Sequence, residues 1–172
     1  MNRRFFIGGT LAATFLSACA SKFQRYTGPK VTQNTGPKVT QIVAYKGKRK
    51  LYLLHNKEVL KSYDFKLGFA PVGDKKVSGD GKTPEGLYYI DRKNPNSSFY
   101  LSVGISYPNA KDRAEAAALG QSPGGDIFIH GTPRKHRRSN KDWTWGCLAV
   151  SNAEMREIYS MVEVGTPIWI FP

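Results

Sequence analysis

Cysteine is scarce in this sequence: its 172 residues include only Cys19 and Cys147. Two thiols cannot form a disulfide framework, a four-cysteine zinc site or an iron–sulfur cluster, so the chemistry of each stands alone. Acidic residues are also few, 13 against 26 Lys and Arg, which leaves a formal charge of +13. The partner is then anionic or sits beside something anionic, with nucleic acid, membrane and cell-wall polymer all open. No helix-turn-helix or zinc-finger pattern accompanies that charge, which argues against nucleic acid. Ser-x-x-Lys is missing too, and with it the serine acyl-enzymes built on that motif. His130 and Cys147 have no third histidine or cysteine at ligand spacing, so no metal and no cofactor is expected. The length suffices for one globular domain and is short for two.

Arg3 and Arg4 precede an apolar run from Phe5 to Leu16 that is too short to span a bilayer, the pattern of an export signal. Leu16-Ser17-Ala18-Cys19 resembles a bacterial lipobox, in which the thiol is acylated and the chain is cut before it. Residues 1–18 would then be the signal and Cys19 the lipidated first residue. Ala18-Cys19-Ala20 also fits ordinary signal cleavage. Arg3-Arg4-Phe5-Phe6-Ile7 resembles a twin-arginine signal, which leaves the export route open. No aspartate follows Cys19, so the expected address is the periplasmic face of the outer membrane, or the soluble periplasm without the lipid. Thr27-Gly28-Pro29-Lys30-Val31-Thr32-Gln33 recurs as Thr35-Gly36-Pro37-Lys38-Val39-Thr40-Gln41. Residues 19–41 are expected to be a duplicated, Gly-Pro-punctuated tether, with the domain occupying 42–172.

Ile42 to Tyr45, Lys50 to Leu54 and Val59 to Phe69 are β-rich runs separated by the turn candidates Lys46-Gly47-Lys48 and His55-Asn56-Lys57. Leu87 to Ile90 and Tyr100 to Ile105 continue the strands, and Lys111 to Leu119 has a helical composition. Asp126 to His130 reads as a buried strand ended by Gly131-Thr132-Pro133. Ser151-Asn152-Ala153-Glu154 is a capping box, with Met155, Ile158, Tyr159 and Val162 as the apolar stripe behind it. Ile168 to Phe171 supplies a last strand. The expected fold is mostly β with a few short helices.

Gly120-Gln121-Ser122-Pro123-Gly124 imitates a nucleophile elbow, but Pro123 lacks the N–H that an oxyanion needs there. Gly81-Lys82-Thr83 imitates the end of a phosphate loop, yet Lys76 stands where the first glycine belongs. What remains is His130 at a strand end and Cys147 seventeen positions later, in Thr144-Trp145-Gly146-Cys147-Leu148. Gly146 lets a substrate carbonyl approach and offers its N–H, with that of Cys147, to an oxyanion. A nearby helix start and a cationic loop are expected to favour the thiolate.

Lys82-Thr83-Pro84-Glu85-Gly86-Leu87-Tyr88-Tyr89-Ile90, Ile127-Phe128-Ile129-His130-Gly131 and Thr144-Trp145-Gly146-Cys147-Leu148 resemble the ordered motifs of the L,D-transpeptidase catalytic domain. That resemblance implies a β-sandwich-like domain in which Cys147 attacks a peptidoglycan stem peptide. His130 takes the thiol proton, and the Gly131 carbonyl orients the imidazole. The family usually has histidine before Gly-Cys and often arginine two places after the cysteine, whereas this chain has Trp145 and Ala149. Tyr107-Pro108-Asn109 with Asp112 resembles a subgroup that also contains peptidoglycan-trimming hydrolases. Tyr107, Asn109 and Trp145 are accordingly candidate substrate contacts. Arg134, Lys135, Arg137 and Arg138 either hold carboxylates of the wall or are a solvated loop, to which His136 belongs. The implied functions are transpeptidation through a cysteine thioester, hydrolysis through the same thioester, or silent wall binding by a lipoprotein. The oligomeric state is not legible.

Overall fold

Burial alternates along the first two strands of the computed structural model, which describes residues 31–172. Ile42 and Ala44 face inward from β1 (Gln41–Tyr45), and Leu51 and Leu53 from β2 (Lys50–His55), the period of two that a half-buried strand requires. β2 turns into β3 (Glu58–Asp64) across Asn56-Lys57, where Asn56 adopts φ +55°, a left-handed conformation that asparagine tolerates well. The residues of the expected export signal and lipobox, Cys19 among them, lie outside the described residues.

β4 (Gly86–Asn94) belongs to both halves of the sheet. Its residues 86–89 pair with the last strand, β8 (Pro167–Phe171), which also runs parallel to β1. A bulge between Ile90 and Arg92 then bends β4 toward β5 (Ser102–Ile105). β6 (Phe128–His130) lies antiparallel to β5, and β7 (Leu148–Ala149) lies parallel to β6. The resulting strand order is β3-β2-β1-β8-β4-β5-β6-β7.

The expected run from Val59 to Phe69 is not one strand. β3 ends at Asp64, and residues 65–69 cross to the opposite edge of the sheet, where Lys66 and Ala149 exchange N–H···O bonds of 2.8 Å each and Gly68 bridges to Thr144. Phe65 and Leu67 are buried as the segment crosses. The sheet is thereby curled and its two ends meet, giving a mostly β, sandwich-like domain around one core of Ile, Leu, Val and Tyr side chains.

Two helices complete the domain. α1 (Ala110–Ala118) is capped by Asn109 in a capping box with Asp112, and α2 (Asn152–Met161) by Ser151 in a box with Glu154. Met155 and Ile158 of α2 are buried against the sheet, and Val162 behind them is buried as well.

The second copy of the repeat is not a free tether. Val39 is in the core and the Lys38 carbonyl lies 2.8 Å from His55 Nδ1, while the N–H of Asn34, just before this copy, reaches the Ser160 carbonyl at 3.2 Å. The folded domain therefore starts before residue 42, with Val39 buried in its core and β1 beginning at Gln41. Val39→Ala should lower the unfolding free energy by about 2 kcal/mol, whereas Thr35→Ala, on the exposed part of the same copy, should change it by less than about 0.5 kcal/mol. Urea unfolding of the two variants checks this contrast.

Candidate active site

His130 closes β6, and the parallel register sets it opposite Ala149 of β7. Side chains alternate along both strands, so Cys147, two residues before Ala149, is carried on the same face as His130 and Phe128. A cleft of about 360 Å³ contains both His130 and Cys147, with Asn94, Ser97, Phe99, Ser102 and Asp126 among its walls. A larger recess of about 550 Å³, lined by Arg49, Lys66 and His136 among others, holds neither residue; the chemistry of His130 and Cys147 places the candidate site in the smaller one.

The imidazole is fixed on several sides. His130 is 3% exposed and its Nδ1 lies 2.7 Å from the Gly131 carbonyl oxygen, an atom that can only accept, so Nδ1 carries the proton and Nε2 is the free base. Phe99 stacks on the ring at 4.6 Å and Trp143 meets it edge-on at 5.6 Å. A side chain at Gly131 would collide with the Phe99 carbonyl and with Asn152 Oδ1, the atom that accepts the Thr132 N–H. Burial holds the His130 pKa below its ordinary value, against a smaller upward effect of the Gly131 carbonyl.

Cys147 follows a tight turn. Gly146 adopts φ +123°, and a Cβ there would stand 2.5 Å from the Lys82 carbonyl oxygen, so only glycine fits. Thr144 staples the turn: its hydroxyl donates to the Cys147 carbonyl at 2.7 Å and accepts the Gly146 N–H at 3.2 Å. The Gly146 N–H is therefore engaged rather than open, and Thr144 is a site residue that motif reading missed. The Cys147 thiol itself lies 3.5 Å from the Asp126 carbonyl, to which it donates.

The electrostatics differ from the sequence-based expectation. Burial pushes the Cys147 pKa up to about 11; the Phe128 N–H and Lys75 pull it down and Asp126 adds to the rise. α2 begins beyond β7, and the cation that lowers the Cys147 pKa is Lys75, not one of the basic loop. Iodoacetamide should accordingly alkylate Cys147 slowly at pH 7, where a pKa of about 11 leaves roughly one thiol in 10⁴ ionised. The rate should climb steadily through pH 9, and a plateau between about pH 6 and 8 would reveal a preformed thiolate–imidazolium pair. Replacing Arg134, Lys135, Arg137 and Arg138 together by Gln should leave this profile in place.

Those four cations are exposed on and after a 3₁₀ turn, Arg134–His136, and line their own recess of about 420 Å³ that shares no residue with the cleft. His136 is not simply solvated, for it stacks on Trp143 at 4.0 Å and 8°. Tyr107 and Asn109 have structural partners. The buried Tyr107 hydroxyl donates to the Pro123 carbonyl at 2.9 Å, and Asn109 caps α1. Neither lines the cleft. Trp145, two residues before Cys147, is 70% exposed and does not line the cleft either.

The model of the L,D-transpeptidase catalytic domain matches residues 40–170. YafK of Escherichia coli (strain K12), to which an L,D-transpeptidase activity is attributed, is 32% identical over 107 residues, covering 61% of this chain and 38% of YafK. Among solved structures, the helical cell shape determining protein Pgp2 of Campylobacter jejuni superposes with a TM-score of 0.60 at 25% identity, over 81% of this chain and 50% of Pgp2. Bd1075 of Bdellovibrio bacteriovorus shares the fold, with a TM-score of 0.56 at 23% identity over 83% of this chain and 51% of its own. The chain thus spans half or less of the length of YafK and Pgp2. The family match runs from the residue before β1 into β8 and includes His130 and Cys147: this chain belongs to the L,D-transpeptidase catalytic domain family.

Proposed function

We propose that this protein is a peptidoglycan L,D-transpeptidase that works through a Cys147 thioester. The observation that carries this reading is the His130 imidazole, neutral, locked by Gly131 and sharing one cleft with the Cys147 thiol. Nε2 accepts the thiol proton as the sulfur attacks the carbonyl carbon of the third stem residue, in the amide that follows it. The developing oxyanion is met by the backbone N–H of Cys147 and, once it leaves Thr144, by that of Gly146. The C–N bond breaks, the leaving amine takes the proton from the imidazolium, and a thioester remains. An acceptor amine then attacks the thioester, gives its proton to Nε2 and regenerates the thiol, which forms a cross-link or attaches a protein to the wall. Gly131 serves as the positioning carbonyl, and Trp145 and the loop cations contact substrate. Likeness to Pgp2 supports a part in cell shape. Acylated Cys19 would hold the chain on the periplasmic face of the outer membrane.

Incubating the full chain with defined muropeptides, with mass spectrometry of products and of the protein, tests this reading. The expected result is a protein adduct on Cys147 and an amine-linked dimer. Free acid alone would make water the acceptor and the protein a carboxypeptidase or endopeptidase, and no adduct would overturn the thioester.

A further inference from the structure

Two aromatic rings stand in solvent at the turn that precedes Cys147, outside the walls of the cleft. Trp145 is 70% exposed and Phe69 49%, and they meet edge-to-face with centroids 4.9 Å apart. Both are rooted on paired backbone: the Phe69 N–H donates to the Thr144 carbonyl at 3.0 Å, and the Ala70 N–H to Gly81 at 3.1 Å. The Phe69 ring lies so closely over Gly81 that a Cβ there would overlap it. This is a held pair, not a loose tip, and at 70% exposure most of the indole surface is uncovered. An exposed aromatic patch on a rigid base marks a binding surface. Two rings are far short of the about 800 Å² that a stable protein partner covers.

Resting on the transpeptidase reading above, we propose that Trp145, backed by Phe69, is a stacking platform for a pyranose ring, so that this site reads the glycan that carries the stem as well as the stem itself. A sugar has an apolar C–H face that packs on an aromatic ring while its hydroxyls stay in water, which suits a ring at an open rim. The reach is sufficient. Three extended residues span about 10 Å between the attacked carbonyl and the sugar, and the Cα atoms of Trp145 and Cys147 are at most about 7.6 Å apart. Histidine, usual in the family at the position before Gly-Cys, offers a smaller ring, so the preference would belong to this chain.

The test compares kcat/KM on a stem tetrapeptide with and without its N-acetylglucosamine–N-acetylmuramic acid disaccharide. The parent should favour the sugar-bearing substrate roughly tenfold. Trp145→Ala should bring that ratio close to one, and Trp145→Phe should keep most of it. An equal fall on both substrates would overturn the platform and make Trp145 a support of the Gly146–Cys147 turn. Binding is read separately from turnover, by saturation-transfer NMR of the peptide-free disaccharide on the Cys147→Ala chain. Signal that disappears in the Trp145→Ala, Cys147→Ala double variant supports the platform, and no signal in either overturns it. Loss of turnover on both substrates in the parent, with sugar binding intact, would instead defeat the transpeptidase reading and leave the platform standing.

Discussion

Cys147→Ser and His130→Ala should each lower acyl-enzyme formation on a stem peptide by about 10³-fold or more, while near-ultraviolet circular dichroism stays native. The serine hydroxyl fits the same space but ionises far less readily than a thiol, and the cleft already penalises charge on position 147, where burial pushes the thiol up to about 11. The ground state is therefore a neutral thiol beside a neutral imidazole, and the proton must move as the sulfur attacks. Only a base that is unprotonated, close and correctly oriented can take it. His130 is unprotonated and oriented because burial keeps its pKa low and the Gly131 carbonyl fixes its tautomer, and it lines the same cleft as the thiol. Activity on the acid side should persist below the pH at which a free imidazole protonates, since the basic form is needed and its pKa is lowered. Mass spectrometry of the quenched protein reads the adduct directly, and a Cys147→Ser protein that acylates at the parent rate would end the thiolate mechanism.

Lys46→Met should destabilise the domain by about 3–5 kcal/mol, a fall in Tm of the order of 10 °C. Lys46 is 2% exposed, and its ammonium donates to the Gly73 carbonyl at 2.6 Å, the Thr83 carbonyl at 3.0 Å and the Glu85 carboxylate at 2.7 Å. Methionine fills the volume but leaves two carbonyls and a carboxylate without their donor, which is the costly half of a buried ion pair. The double variant Lys46→Met, Glu85→Gln should be less destabilised than the sum of its singles, because the stranded charge is gone. Catalysis should suffer as well. The segment this lysine gathers includes Lys82, whose carbonyl is the surface against which Gly146 packs. Thermal melts of the three variants decide the matter, and a loss below about 1 kcal/mol for Lys46→Met would mean that water replaces the ammonium.

Local chemistry is what made parts of this protein legible in its sequence. Ser151-x-x-Glu154 specifies a helix start within four residues, and the structure puts the cap there. His130 and Cys147 could be paired from the strand before one and the glycine before the other. Lys46 could not be found this way: a lysine in a turn looks solvated until distant carbonyls and a carboxylate converge on it, as those of Gly73, Thr83 and Glu85 do. Trp143 escaped for the same reason, since an indole wedged between His130 and His136 is placed by the fold; Thr144 escaped although its partners Gly146 and Cys147 are close in sequence, because a threonine before a Gly-Cys turn carries no motif of its own. The tyrosine and asparagine at 107 and 109 are polar side chains near a motif whose structural partners, the Pro123 carbonyl and a helix end, no local pattern announced.

The place of β8 has a consequence for when the protein can act. This strand, residues 167–171, lies between β1 and β4 and joins the part of the sheet made early in synthesis to the part made later. Until it is inserted, the β1–β3 hairpins and the β4–β7 half that carries His130 lack their shared strand, and the 65–69 crossing must close a loop between two incomplete edges. Catalytic geometry is thus coupled to the final stretch of the domain. A chain still being made holds Cys147 and His130 without the frame that sets them in one cleft, and that cleft is complete only after the last strand has arrived.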